Sequence, residues 1–113
     1  MRAAQKVSAD AVELHTGNFS RAFHEGESDA TYQAERSRLV DSVGLGTRLG
    51  LRVNAGHGLH YSNVREYIED VPHLPTLNIG HAIISRAIFS GLEHAVREML
   101  ELISSHELGM NSD

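Results

Sequence analysis

Two periods of hydrophobic and polar positions take turns along this chain, and together they predict its elements. Residues 2–7 read as the last turns of a helix, followed by the turn Ser8-Ala9-Asp10. Ala11-Val12-Glu13-Leu14-His15 then alternates as a short strand that stops at Thr16-Gly17. The polar stretch 18–27 predicts a loop, with Ser28 and Asp29 as N-caps of a helix that keeps Tyr32, Leu39 and Val43 on one side. Gly44, Gly46 and Gly50 are expected to close that helix, and residues 51–55 form a second strand running into Gly56-His57-Gly58. Asn63 and Glu66 have capping-box spacing ahead of Val64, Tyr67, Ile68 and Val71, a helical stripe that should end before Pro72. Residues 76–79 predict a third strand ending in Gly80-His81, and residues 82–89 a short helix. Ser90-Gly91-Leu92-Glu93 reads as a capping box for a last helix with the apolar stripe Leu92, Ala95, Val96, Met99, Leu100 and Ile103. Gly109 is expected just past its end, with residues 110–113 a frayed tail.

Alternation of strand and helix implies an α/β fold with a parallel sheet and right-handed crossovers, one domain spanning residues 1–113. In such folds the loops at the carboxyl ends of the strands collect backbone amides and helix N-termini, so function is expected there. No internal repeat or low-complexity linker divides the chain.

Composition narrows the function classes. Hydrophobic residues make up 41% and charged residues 22% of 113, which is globular rather than disordered or membrane composition. Ten Lys and Arg against fifteen Asp and Glu leave a net charge of −5, which argues against nucleic acid and anionic membranes as partners. With no Cys there are no disulfides, thiolate metal sites or thiol nucleophile. The chain shows neither a signal segment nor an apolar run of the roughly 18 residues a membrane span needs, and the cytoplasm is the expected compartment.

Eight His in so short a chain direct attention to the strand ends. There, Glu13-Leu14-His15-Thr16-Gly17, Asn54-Ala55-Gly56-His57-Gly58 and Asn78-Ile79-Gly80-His81 each place a Gly beside or near a His. Glycine lets peptide N–H groups approach a ligand oxygen, and the N-terminus of a following helix adds a dipole that favours an anion. Gly80-His81 ahead of a helix is therefore a phosphate-site candidate that needs no Lys. His57, between two glycines, has few neighbours to pack against and suits a general acid or base near neutral pH. Glu13 lies on the opposite strand face from Val12 and Leu14 and is costly to bury unless used or paired; His15 shares its parity and is an alternative structural partner for it. His24, His73, His94 and His106 fall in loops or on polar helix faces and are expected to be exposed. His57, His60 and His81 could be proposed as a zinc cluster, but two of them stand at i and i+3 in a loop and no carboxylate has matching spacing, so no zinc site is expected. The dinucleotide and P-loop glycine fingerprints are both missing.

The segments ADAVELHTGNF, GLRVNAGHGLHYSNV and LNIGHAIISRAIFSGLEHAVREM closely resemble the carboxyl-terminal part of the pyridoxine 5'-phosphate synthase family. That resemblance covers nearly the whole chain. It implies part of a (β/α)8 TIM barrel, with the sixth, seventh and eighth strands and their helices. It also implies condensation of 1-deoxy-D-xylulose 5-phosphate with 3-amino-2-oxopropyl phosphate to pyridoxine 5'-phosphate, phosphate and water, without a cofactor. By the resemblance His57 is the general acid and Glu13 the carboxylate that stabilises transition-state charge, while Gly58, Gly80 and His81 contact substrate and phosphate. Ser8 stands where the family commonly has Gly, Phe19 replaces a usual Tyr, Thr76 replaces a usual acidic residue, and the loop 72–75 is one residue longer than usual. The family's catalytic residues on earlier strands have no counterpart here. The expectation is a carboxyl-terminal portion that is inactive alone, in a family that forms homo-oligomers. The alternatives are the complementing half of a split enzyme, which pairs with a separate amino-terminal half, and a phosphate-binding half-barrel without catalysis.

Overall fold

The computed structural model describes residues 1–24, 29–71 and 76–111. In chain order the elements are α1 (Arg2–Lys6), β1 (Ala11–His15), α2 (Gly17–His24), α3 (Asp29–Arg48), β2 (Arg52–Gly56), α4 (Val64–Asp70), β3 (Leu77–Asn78), α5 (His81–Ser90) and α6 (Leu92–Asn111). The strands form one parallel sheet in the order β1-β2-β3. Register pairs Val12 with Val53, Glu13 with Asn54, Leu14 with Ala55 and His15 with Gly56, and β3 joins through Ala55–Leu77 and Gly56–Asn78.

Because side chains alternate across a strand, this register sorts the sheet into two faces. Val12, Leu14, Val53 and Ala55 share the face that packs into the core with Phe19, Leu39, Val43, Leu59, Tyr67 and Val71. Glu13, His15, Arg52 and Asn78 occupy the other face and are exposed. An antiparallel sheet often wets one face, whereas parallel sheets are ordinarily covered on both. The aromatic centre of the core is Phe19, with its ring 5.2 Å from that of Tyr67 in an edge-on contact and 5.4 Å from that of Tyr32. The Tyr32 hydroxyl in turn donates to Asp70 Oδ2 at 2.7 Å, tying α3 to α4.

Several expectations are corrected. The stretch read as a polar loop begins with α2, whose Phe19 and Ala22 are buried on one side. Gly44 and Gly46 do not end α3, which runs on to Arg48. A Cβ on Gly46 would lie 2.5 Å from Val53 Cγ2, so that glycine serves the close approach of α3 to β2. Gly50, at φ +82°, is the residue that turns the chain out of the helix. Asn63 precedes α4 but its side chain makes no cap bond, and the Ser90 hydroxyl bonds to carbonyl oxygens of Arg86 and Gly91 instead of capping α6. Helix α5 starts at His81, one residue early, and α6 continues through Gly109 to Asn111. Its stripe divides: Ala95 and Met99 are buried, whereas Leu92, Val96 and Leu100 remain exposed beside Ile84, Ile88 and Phe89 of α5. The Ser28 cap, the stop at Pro72, the 72–75 loop with His73, the remainder of the expected 18–27 loop, and Ser112 and Asp113 of the expected tail lie outside the described residues. So do the side chains of His24 and His106; His94 is exposed, as expected, and bonds to Glu98.

In the turn between α1 and β1, Ser8 adopts φ +61°, in the left-handed region where a Cβ is disfavoured. Among the described residues no helix is long and apolar enough to cross a membrane.

Candidate functional site

Everything that carries chemistry hangs on how β1 and β2 end. The N–H of Thr16 donates to the carbonyl of Gly56 at 2.8 Å, extending the ladder by one step beyond the strands. Its buried hydroxyl lies 2.8 Å from that carbonyl oxygen and 2.6 Å from the carbonyl oxygen of His57. His57 and Gly58 then take φ +86° and +78° in succession. Two left-handed residues in a row reverse the chain abruptly, and a Cβ on Gly58 would strike the Ser20 side chain at 2.7 Å. The loop is closed from its far side by Asn63, which is fully buried. Its Oδ1 accepts from the N–H of His60 at 2.8 Å and its Nδ2 donates to the carbonyl of Gly58 at 3.0 Å.

This backbone presents the His57 ring against that of His15, with centroids 4.2 Å apart and planes 17° from parallel. His15 is therefore a neighbour of His57 and not the partner of Glu13 that strand parity allowed, and His57 is not without side-chain company. Glu13 instead accepts through Oε1 from Asn78 Nδ2 at 2.9 Å, across both strand pairings. Gly56 lies directly beneath that carboxylate: a Cβ there would collide with Glu13 Oε1 and come within 3.1 Å of the Asn78 carbonyl oxygen.

Glu13, His57, Gly58, Gly80 and His81 all line one open cavity of about 840 Å³, together with His60, Asn78 and Ser85. Among the described residues no Lys or Arg lines it. The first turn of α5 has N–H groups without an intrahelical acceptor and no side-chain cap at its start, so it offers partial positive charge at this cavity. A Cβ on Gly80 would meet nothing within 4 Å, so the packing of this chain does not itself demand glycine there. His57, His60 and His81 share the cavity, yet among the described residues no group of three or more His, Asp or Glu is arranged to hold a metal.

Sequence reasoning missed Thr16, Asn63 and Asn78 as parts of the site. Asn63 lies in the segment GLRVNAGHGLHYSNV and Asn78 in LNIGHAIISRAIFSGLEHAVREM, but nothing local tells a loop-bracing amide from a helix cap. Residues 1–105 match the family model described as pyridoxal phosphate biosynthesis protein PdxJ. The chain is 48% identical over 103 residues to pyridoxine 5'-phosphate synthase of Geobacter sulfurreducens, an alignment that covers 91% of this chain and 41% of the relative. Similar proteins of the same name from Akkermansia muciniphila (45% identical; 91% of this chain, 40% of the relative) and Maridesulfovibrio salexigens (43%; 91% and 41%) match over the same length. The chain thus spans about two fifths of the length of these curated relatives. It belongs to the PdxJ family of pyridoxal phosphate biosynthesis proteins.

Proposed function

We propose that this chain supplies the sixth to eighth strands of a (β/α)8 barrel and, joined to the remaining strands, forms pyridoxine 5'-phosphate from 1-deoxy-D-xylulose 5-phosphate and 3-amino-2-oxopropyl phosphate. The observation that carries the reading is the convergence of Glu13, His57 and the N-terminus of α5 on one cavity at the carboxyl ends of the strands. Its polar sheet face, bearing Glu13, His15 and Asn78, suits the interior of a closed barrel.

The reaction makes an imine, expels phosphate, closes a ring and loses water, and these bond changes need protons moved at carbonyl and hydroxyl oxygens. His57 donates a proton to a departing oxygen, which leaves as water. Glu13, with Oε1 held by Asn78, offers Oε2 to positive charge developing on the condensing nitrogen. Backbone N–H groups at Gly80 and His81, with Gly58, cradle a phosphate at the α5 terminus, where the bare Cα of Gly80 leaves room for an oxygen. No step calls on a metal or organic cofactor, and its partners are small phosphorylated molecules in the cytoplasm. By itself the three-stranded sheet is inactive, because the carboxylate and imidazole groups that the family places on earlier strands are not in it.

The test is co-expression of the chain with the remaining strands of the Geobacter sulfurreducens relative, followed by assay with both substrates. The complex is expected to form product, and His57→Ala to lower kcat by about 10²- to 10⁴-fold, the usual share of a general acid. A folded complex without product, or a His57→Ala complex at the wild-type rate, would overturn the proposal.

A further inference from the structure

His15 has no part in the reaction as proposed above, yet its ring is stacked on the proposed acid. The His57 side chain is exposed, so little packing surrounds the imidazole to fix its orientation. An acid that must reach one oxygen of a bound substrate needs such a restriction, since a displacement of about 1 Å costs about 10²-fold in rate. The restriction lies on β1. Register sets His15 opposite Gly56, and the next residue after Gly56 is His57, so the two rings meet at the same strand edge.

The His15 ring is itself fixed. Its Nδ1 accepts from the N–H of Gly17 at 3.1 Å, which leaves the ring proton on Nε2. It also rests against the bare Cα of Gly17, where a Cβ would come 2.5 Å from its Cε1 and 3.0 Å from its Nδ1. The ring therefore sits in a notch that only glycine provides, anchored on one side and presenting a flat face to His57 on the other.

We infer that His15 is a positioning residue for His57: docked over Gly17, its ring is the wall that holds the His57 imidazole in one orientation at the cavity. The inference rests on the acid role proposed for His57, and its structural half can be tested apart from that role. In the 113-residue chain, His15→Ala is expected to move the His57 ring-proton resonances downfield as stacking is lost, whereas His15→Phe, which keeps a flat face without the nitrogen, leaves them upfield. In the complex with the remaining strands, His15→Ala lowers kcat by about 10- to 100-fold with KM within about threefold, and His15→Phe restores most of that loss. Unmoved His57 resonances in His15→Ala, or wild-type kcat in that variant, would overturn the inference, as would His15→Phe losing as much kcat as His15→Ala. If His15→Ala does not fold, the His15→Phe pair of readouts decides alone. If the wild-type complex makes no product, the proposed function fails, and the resonances still decide whether His15 orients His57.

Discussion

The hydroxyl of Thr16 lies 2.6 Å from the carbonyl oxygen of His57, so the end of β1 holds the backbone of the loop that follows β2. Thr16 is fully buried and the loop it grips contains a histidine at φ +86°. Left-handed geometry in a non-glycine residue persists only where its surroundings impose it. Thr16→Val keeps shape and removes the donor, leaving the His57 carbonyl with a weaker set of partners. It is expected to lose about 1–3 kcal/mol in urea denaturation, and Thr16→Ser to lose much less. Equal stability of the Val variant and wild type would show that the hydroxyl does not hold the turn.

Much of the architecture was legible because burial follows period. Alternation at Val12 and Leu14 found β1, and the spacing of Val64, Tyr67 and Val71 found α4, since those residues do pack into the core. Errors arose where a residue had two physical uses. Glycine at position 46 was read as a stop, although the structure uses it to bring α3 against Val53. Helix α2 falls in a stretch whose polar majority reads as a loop, while the signal for it is the spacing of Phe19 and Ala22. In the site, the five residues given roles by the family resemblance, Glu13, His57, Gly58, Gly80 and His81, line one cavity, because turns after parallel strands gather at one edge. What holds them could not be read: the Glu13–Asn78 bond joins residues 65 apart, and the His15–His57 stack depends on strand register that only the folded sheet fixes.

Ser8 at φ +61° makes a cleaner prediction than any core residue. Its N–H donates to the Gln5 carbonyl at 3.0 Å, a backbone bond that glycine retains. Ser8→Gly should therefore relieve left-handed strain of about 1–2 kcal/mol, reduced by the greater freedom glycine has when unfolded. A net gain of about 0.5–1 kcal/mol in chemical denaturation is expected. A loss of stability in this variant would mean that the turn does not take this conformation in solution.

Gly56 lies under the carboxylate of Glu13, so Gly56→Ala acts on the site without altering a functional group. The added methyl collides with Glu13 Oε1 and crowds the Asn78 carbonyl at 3.1 Å, which separates the two partners of the 2.9 Å bond. In the complex with the remaining strands, kcat is expected to fall by about 10²-fold or more, as for comparable displacements of reacting groups. Asn78→Leu, which removes the amide but adds no methyl under Glu13, should reproduce part of that fall. Unchanged kinetics in both variants would exclude Glu13 orientation as a requirement.

Tyr32 and Tyr67 make the fold sensitive to alkali. Burial, then the hydrogen bond to Asp70 and that carboxylate's charge, push the Tyr32 phenol well above its ordinary value of 10.0; burial alone does so for Tyr67. Where the unfolded chain begins to release these protons, near pH 10, the folded chain keeps them. Stability is thus complete below that pH and falls as pH rises beyond it toward the raised folded values. The two residues differ in the bonds they make. Tyr32 donates to Asp70, whereas the buried hydroxyl of Tyr67 finds no partner among the described residues. Tyr67→Phe should accordingly hold or gain up to about 1 kcal/mol at neutral pH, because it removes an unsatisfied buried group, and should flatten the alkaline decline. Tyr32→Phe should lose about 1 kcal/mol at neutral pH through the Asp70 bond while the Tyr67 share of the alkaline decline remains. Urea titrations of both variants at about pH 7 and about pH 10.5 separate these outcomes. A Tyr67→Phe chain that is markedly less stable than wild type at neutral pH would show that its hydroxyl is bonded after all.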